Sequence, residues 1–321
     1  GQRRPEPPPR APVGLGAGGG ARGEGARRAW RWGQKWVAGG GVMKVVRGIV
    51  GDGPAASAAT VVPTVQVPVG LAQALAGRKS YDRITVRRGG APDPEGSCVV
   101  YWMQRAQRAS DNPALDVAVR VGNELKKPVV VFLAPVPFYP RANLRHYRFL
   151  AEGIPDIAEE LAARGVGLVL RTYPDHSLLK FCEEVRPAMV IGDENPMREP
   201  EQWRVKAANK IRVPLWTVDA DVVVPTKLLL KEQFAARTIR PRIQALLPRF
   251  LKRPQNLKAQ LRWTPQARPY SLLPPDDFIC GWKLDRSVQP APGWRGGRER
   301  GLRVLREFGR RRLSEDPESR T

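Results

Sequence analysis

A doubly wound α/β fold, a five-stranded parallel sheet with helices on both faces, is what this sequence predicts, and three observations predict it. Between Ser97 and Val224, short apolar runs alternate with amphipathic stretches in a β-α-β-α rhythm, the pattern of parallel strands joined by helical crossovers. The runs are brief, mostly β-branched or aromatic and almost continuously apolar, as strands covered on both faces must be. Right-handed crossovers then place helices on both sides of the sheet, the architecture called Rossmann-like.

The strands fall at Cys98–Met103, Val129–Ala134, Val166–Leu170, Ala188–Ile191 and Pro214–Val218. The first helix starts where Asn112 can cap it and Pro113 can open its first turn, and Leu115, Ala118, Val121 and Leu125 follow at helical spacing. The second carries Leu144, Tyr147, Leu150, Ile154, Ile157 and Leu161 along one face. Pro155 removes a backbone donor from that segment, so a kink or a break into two helices is predicted near Gly153–Pro155. Further helices are predicted over Asp175–Val185, Glu199–Ile211, Lys227–Ala236 and a basic stretch ending at Leu251. In such a sheet ligands bind beyond the carboxyl ends of the strands. Here that points to the Trp102–Arg105 turn, the Pro135–Tyr139 loop and Asp193–Arg198.

Around this core the composition changes. The chain holds 32 Pro and 31 Gly, more than a compact domain usually needs, and with Arg they gather before residue 97 and after residue 251. Three regions follow: a basic Gly/Pro/Arg-rich extension over 1–96, expected to be largely disordered and low in complexity; the α/β domain over 97–251; and a linker-like segment over 252–321. The net charge of +23 would draw the protein to polyanions such as DNA, RNA or an anionic membrane surface without naming one. A GC-rich coding bias toward Arg, Ala, Gly and Pro would produce the same charge with no partner at all. Cys98, Cys182 and Cys280 are widely spaced and form no CxxC pair, so neither a disulfide framework nor a zinc site is suggested. No apolar run reaches the roughly 18 residues of a bilayer span, and no signal-peptide h-region is present. A soluble intracellular protein of the cytoplasm is expected.

Several motifs are dismissed on physical grounds. Gly14-Leu15-Gly16-Ala17-Gly18-Gly19 fits G-x-G-x-x-G, but no strand precedes it to aim its backbone N–H groups at a pyrophosphate. The first strand–helix turn, Met103–Asn112, contains no glycine, so phosphate cradling there is not expected. His146 and His176 are the two histidines. They lie in separate elements without ligand spacing, so no metal site is expected. No G-x-S-x-G elbow supports a hydrolase. Trp30, Trp32 and Trp36 alternate with Arg28, Arg31 and Lys35 in the Gly-rich tail, a mixture that can stack on single-stranded nucleic acid. Trp102, Trp203 and Trp216 read as core packing. Arg237, Arg240, Arg242 and Arg249 read as solvated or interdomain cations.

Four linked segments carry more. They are Val99-Val100-Tyr101-Trp102-Met103-Gln104-Arg105 with Gln107-Arg108 and Asp111-Asn112; Ala142-Asn143-Leu144-Arg145-His146-Tyr147-Arg148-Phe149-Leu150; Val218-Asp219-Ala220-Asp221-Val222-Val223-Val224-Pro225; and Phe234-Ala235-Ala236-Arg237-Thr238-Ile239-Arg240-Pro241. In this order they resemble the amino-terminal α/β domain of class II DNA photolyases. The resemblance runs from about Gly96 to Phe308 and includes Leu284-Asp285-Arg286-Ser287-Val288 and Trp294-Arg295-Gly296-Gly297. It implies a deoxyribodipyrimidine photolyase, a carbon-carbon lyase and flavoprotein of DNA repair. In that family a reduced, light-excited FAD donates an electron to a flipped-out cyclobutane pyrimidine dimer. The family's FAD pocket lies in a carboxy-terminal helical domain, and this chain reaches Thr321 before one begins. It is therefore expected to hold no catalytic residue and to be inactive alone.

The resemblance further implies an antenna chromophore, such as a deazaflavin, in a cleft between the two domains. Trp102, Met103 and Arg105 after the first strand, with Asp193 and Asn195 after the fourth, are positioned for it. Family members more often carry an Asp-Phe-Ser-Pro-like sequence where this chain has Asp193-Glu194-Asn195-Pro196. The implied partners are dimer-containing DNA and a FAD-binding domain docked on Lys227–Leu251; no DNA-binding residue is assigned. The alternative is a non-catalytic module of the same fold that binds a chromophore, a nucleotide or a partner domain.

Overall fold

The computed structural model describes residues 81–264 and 279–311, with Leu71 and the backbone of Trp32–Gly39 and Val42–Ile49. The glycine motif at 14–19 and the side chains of the tail tryptophans lie outside the described residues. In chain order the elements are β1 (Trp32–Gly39), β2 (Val42–Ile49), β3 (Ile84–Arg88), β4 (Val99–Met103), α1 (Pro113–Leu125), β5 (Val129–Leu133), α2 (Leu144–Ala163), β6 (Gly167–Leu170), α3 (Leu178–Val185), β7 (Met189–Asp193), α4 (Arg198–Lys210), β8 (Leu215–Val218), α5 (Ala236–Phe250) and α6 (Arg298–Arg311). β1 and β2 pair antiparallel with each other. The remaining strands form one sheet in the order β3-β8-β7-β4-β5-β6.

All five parallel strands expected from the sequence are present, and the sheet has a sixth that was not expected. β3 pairs antiparallel with β8 at the edge, Ile84 opposite Val218, so the sheet is mixed and the count of five is corrected. The reason is physical: an edge strand needs cover on one side only, and Ile84-Thr85-Val86-Arg87-Arg88 is mostly half-buried, with two arginines. It therefore lacks the continuous apolar run that marks a central strand. β3 also lies upstream of residue 97, where the core was expected to begin.

The sheet is doubly wound about β4. From β4 the chain moves outward through α1 and α2 to β5 and β6, then returns through α3 and α4 to β7 and β8. Successive residues of β4 serve opposite faces, as the pleat requires. Val99, Tyr101 and Met103 pack with residues of α1 and α2, while Val100 and Trp102, with Cys98 just before the strand, pack with residues of α3 and α4.

The helix starts obey local chemistry. The Asn112 side chain accepts from the N–H groups of Ala114 and Leu115, and Pro113 opens α1. The predicted break near Pro155 does not occur; α2 is one 20-residue helix with Pro155 inside it. Proline costs the helix one hydrogen bond, and the buried face of Tyr147, Ala151, Ile154, Ile157, Ala158 and Leu161 holds both halves to the sheet. A further correction concerns Lys227–Ala236. Only a single 3-10 turn forms at Thr226–Leu228, and regular helix begins at Ala236. Apolar side chains in this stretch have no surface to pack on: Leu230 is 81% and Phe234 89% exposed.

The segment after α5 is folded onto the domain. Asp116 of α1 bonds Arg164 at 2.6 Å and accepts from the Leu257 N–H at 3.0 Å. The Arg164 guanidinium donates to the Leu257 and Ala109 carbonyls. Further along, Trp282 meets the Tyr147 ring edge-to-face at 5.2 Å. Gly296 and Gly297 bring the start of α6 against α2; a Cβ on Gly296 would overlap the Phe149 carbonyl oxygen.

Candidate functional site

At the carboxyl end of β7, Asp193 turns its carboxylate under the β4–α1 turn. One oxygen accepts the Tyr101 hydroxyl at 2.7 Å. The other accepts three successive backbone N–H groups, from Gln104 at 2.9 Å, Arg105 at 2.7 Å and Ala106 at 2.9 Å. Asn112 completes the arrangement by donating to the Tyr101 oxygen at 3.0 Å and to the Ala106 and Arg108 carbonyls. Burial pushes the Tyr101 phenol well above its ordinary range, and the neighbouring Asp193 charge pushes the same way. Tyr101 therefore stays a neutral donor. In other doubly wound proteins the N–H groups of this turn face a phosphate; here they face the chain's own carboxylate, which does the job of the missing glycines by fixing the turn.

A cleft of about 350 Å³ opens where the strand order reverses, beyond the ends of β4, β5 and β7, the expected ligand position in such a sheet. Of the five residues singled out from the sequence, Met103, Arg105 and Asn195 line it. Trp102 and Asp193 are not among the lining residues. Trp102 points to the opposite face of the sheet, where it packs over Gly192, and Asp193 is buried beneath the turn. The remaining wall comes partly from the expected turn and loop and partly from residues that sequence patterns gave no reason to group. They include Gln104 and Gln107 from the turn, Tyr139 from the loop after β5, His146 and Leu150 from α2, and Trp203 from α4. Tyr139 and Trp203 meet edge-to-face at 6.1 Å. Gln104 and Tyr139 carried a usable signal, their place after a strand; Gln107, His146, Leu150 and Trp203 carried none.

The polar wall is held from behind. Arg105 pairs with Asp221 through Nε and reaches the Asn195 side-chain oxygen at 3.4 Å. That oxygen also accepts the Met197 N–H at 3.0 Å, and the Asn195 backbone carbonyl accepts from Arg204. Arg204 is fully buried and pairs with Glu201. Arg87 of β3 bonds Glu194, Glu201 and the Thr217 hydroxyl. Partial burial raises the Glu201 pKa, but Arg87 and Arg204 outweigh it and hold the carboxyl below its usual value. The edge strand that the sequence concealed thus contributes a cation to the support of the cleft.

Little in the cleft suits proton transfer or nucleophilic attack. The His146 ring nitrogen Nδ1 faces the Asn143 side-chain oxygen at 2.7 Å at the start of α2, a capping arrangement. Away from the cleft, burial pushes the Cys98 thiol up to about 11 and the Cys182 thiol to about 12, which makes both poor nucleophiles. Among the described residues no group of three or more His, Cys, Asp or Glu is placed to hold a metal ion, and no helix is long and apolar enough to cross a membrane. What the cleft offers is an apolar wall edged by amides and one guanidinium, the mixture common to small-ligand sites.

Comparison with known proteins shows the family to which the chain belongs. The DNA photolyase family model matches residues 99–260. A deoxyribodipyrimidine photo-lyase of Methanothermobacter thermautotrophicus is 34% identical over 234 residues, covering 72% of this chain and 51% of that protein. One of Potorous tridactylus is 32% identical over 231 residues, covering 68% and 42%. One of Oryza sativa subsp. japonica is 29% identical over 189 residues, covering 56% and 37%. The chain spans about half the length, or less, of the curated relatives it matches.

Proposed function

Because the chain belongs to the DNA photolyase family, we propose that it supplies the chromophore-bearing α/β half of a class II deoxyribodipyrimidine photo-lyase. Light-driven repair of pyrimidine dimers in DNA then requires a FAD-binding helical domain in addition. The observation that carries this reading is the slot at the switch point of the sheet, lined by Met103, Tyr139 and Trp203 and edged by Gln104, Arg105 and Asn195.

Two candidate cofactors fit these residues differently. A dinucleotide such as FAD needs N–H donors for its pyrophosphate, and the turn that would provide them is committed to Asp193. No step through a flavin is assigned to this part of the chain. A deazaflavin-type antenna suits the slot, whose about 350 Å³ lies within the range of small-ligand sites. When bound, such a group absorbs light and passes the excitation energy on. The protein's own contribution would be positioning: Tyr139 and Trp203 would supply aromatic wall, and Gln104, Gln107 and Asn195 would present amides to the polar groups of the ligand. Arg105, held in place by its ion pair with Asp221, would offer guanidinium N–H donors to a ring oxygen.

A second reading, a non-catalytic module that binds a partner domain, draws on the exposed Leu230 and Phe234. Titration of the purified chain with a deazaflavin, followed by fluorescence, separates the two. Saturable binding that Trp203→Ala weakens is expected, with no repair of dimer-containing DNA under blue light. Absence of any binding would favour the partner-binding module, and repair by the chain alone would refute the division of labour proposed here.

A further inference from the structure

We propose that a second cleft, beyond the carboxyl end of β8, binds the phosphate group of a nucleotide-sized ligand. This cleft encloses about 550 Å³ between the end of β8, the start of α1 and the end of α5. Arg83, Arg108, Arg120, Lys252 and Arg253 line it, with Asp111, Asp116 and Asp221. By count the cations lead by two, and the geometry widens the difference. Each carboxylate is paired with a cation that is not part of the lining: Asp221 with Arg105, Asp116 with Arg164 at 2.6 Å, and Asp111 with Arg298 at 3.8 Å.

Two of the cations, by contrast, are fixed by backbone carbonyls. Arg83 donates to the backbone carbonyls of Asp219 at 3.0 Å, Val222 at 2.7 Å and Val223. Arg108 donates to the carbonyls of Asp111 at 3.1 Å and Ala220 at 2.6 Å. A carbonyl orients a guanidinium without cancelling its charge. Lys252 and Arg253 are exposed and make no ion pair among the described residues. Pro113, the first residue of α1, also lines the cleft, so the positive end of that helix adds to the field. Preorganised guanidinium groups in excess over local carboxylates suit a phosphate, which several forks can engage at once. Val222, Val223, Phe250 and Leu251 supply an apolar wall against which a base can lie. The turn that usually takes a phosphate in this architecture is closed by Asp193, and this neighbouring cleft is open.

Phosphate chemistry can come from a free nucleotide or from a nucleic-acid strand, and the test distinguishes them. Binding of AMP, adenosine and a single-stranded oligothymidylate to the full chain is measured by calorimetry. The same measurements are made on Lys252→Glu/Arg253→Glu, on the milder Lys252→Gln/Arg253→Gln, and on a control reversed at the opposite end of the sheet, Lys210→Glu/Arg212→Glu. AMP binding in preference to adenosine, weakened at least about tenfold by the cleft reversal and unchanged in the control, identifies a free nucleotide. The same pattern with the oligonucleotide alone identifies a strand backbone. The proposal is overturned if adenosine binds as tightly as AMP, if neither phosphate ligand binds, or if the control loses as much affinity as the cleft variants.

Discussion

The Asp193 carboxylate lies 2.7 Å from the Tyr101 hydroxyl and gathers three consecutive N–H groups of the β4–α1 turn on its other oxygen. With Asp193 1% exposed and Tyr101 fully buried, removing the carboxylate strands several donors away from water. Each buried donor left unpaired costs about 1–3 kcal/mol. Asp193→Ala is therefore expected to lose about 3 kcal/mol or more in urea unfolding. Tyr101→Phe, which removes one donor, should lose less. A loss in Asp193→Ala no larger than that of Tyr101→Phe would show that the turn does not depend on the carboxylate.

Asp116 and Arg164 form a buried pair that also grips the backbone at Leu257. Breaking such a pair from one side costs about 3–5 kcal/mol, more than replacing both partners with apolar groups. Asp116→Ala should therefore destabilise the protein by about that amount, and Asp116→Ala/Arg164→Met should recover part of the loss. Strict additivity of the two single variants would contradict the coupling.

Gly296 sits where no side chain fits, against the Phe149 carbonyl of α2. Gly296→Ala is expected to lift α6 from α2 while leaving the sheet intact. Trypsin should then cut between Arg295 and Arg311 roughly tenfold faster, as expected for local opening, with little change in global unfolding. Equal protection of the variant and the parent would mean that the contact is dispensable.

Lys227 donates from its Nζ atom to the Tyr81 and Ile84 carbonyls, each at 2.8 Å. Burial lowers its pKa to about 8, only partly offset by Asp82 and Asp219. The folded state thus binds fewer protons than the unfolded state between about pH 8 and the ordinary lysine value near 10.4. Over that window stability should rise with pH, because the neutral amine keeps its two N–H donors and sheds the cost of a buried charge. Lys227→Met lacks this gain. Urea unfolding at pH 7.5, 8.5 and 9.5 should show the parent improving relative to the variant as pH rises, and a constant difference would refute the shift.

What the sequence determined by itself is the part of the protein governed by local pattern. The five central strands could be read because burial on both faces demands unbroken apolar runs, as in Val129-Val130-Val131-Phe132-Leu133. The cap at Asn112 could be read because an amide oxygen just before a proline-opened helix can accept the first free N–H groups. The slot's position was legible as strand ends, and Met103, Arg105 and Asn195 with it. Tertiary structure decided the rest, because the deciding partners are far apart in the chain. β3 is a strand only because β8 offers an edge, with Ile84 opposite Val218 across more than a hundred residues. Lys227–Ala236 stays largely irregular because no surface receives Leu230 and Phe234. Asp193 was expected at the cleft surface, yet it lies beneath the turn. A carboxylate's role depends on the donors that surround it, and these come from residues about ninety positions earlier.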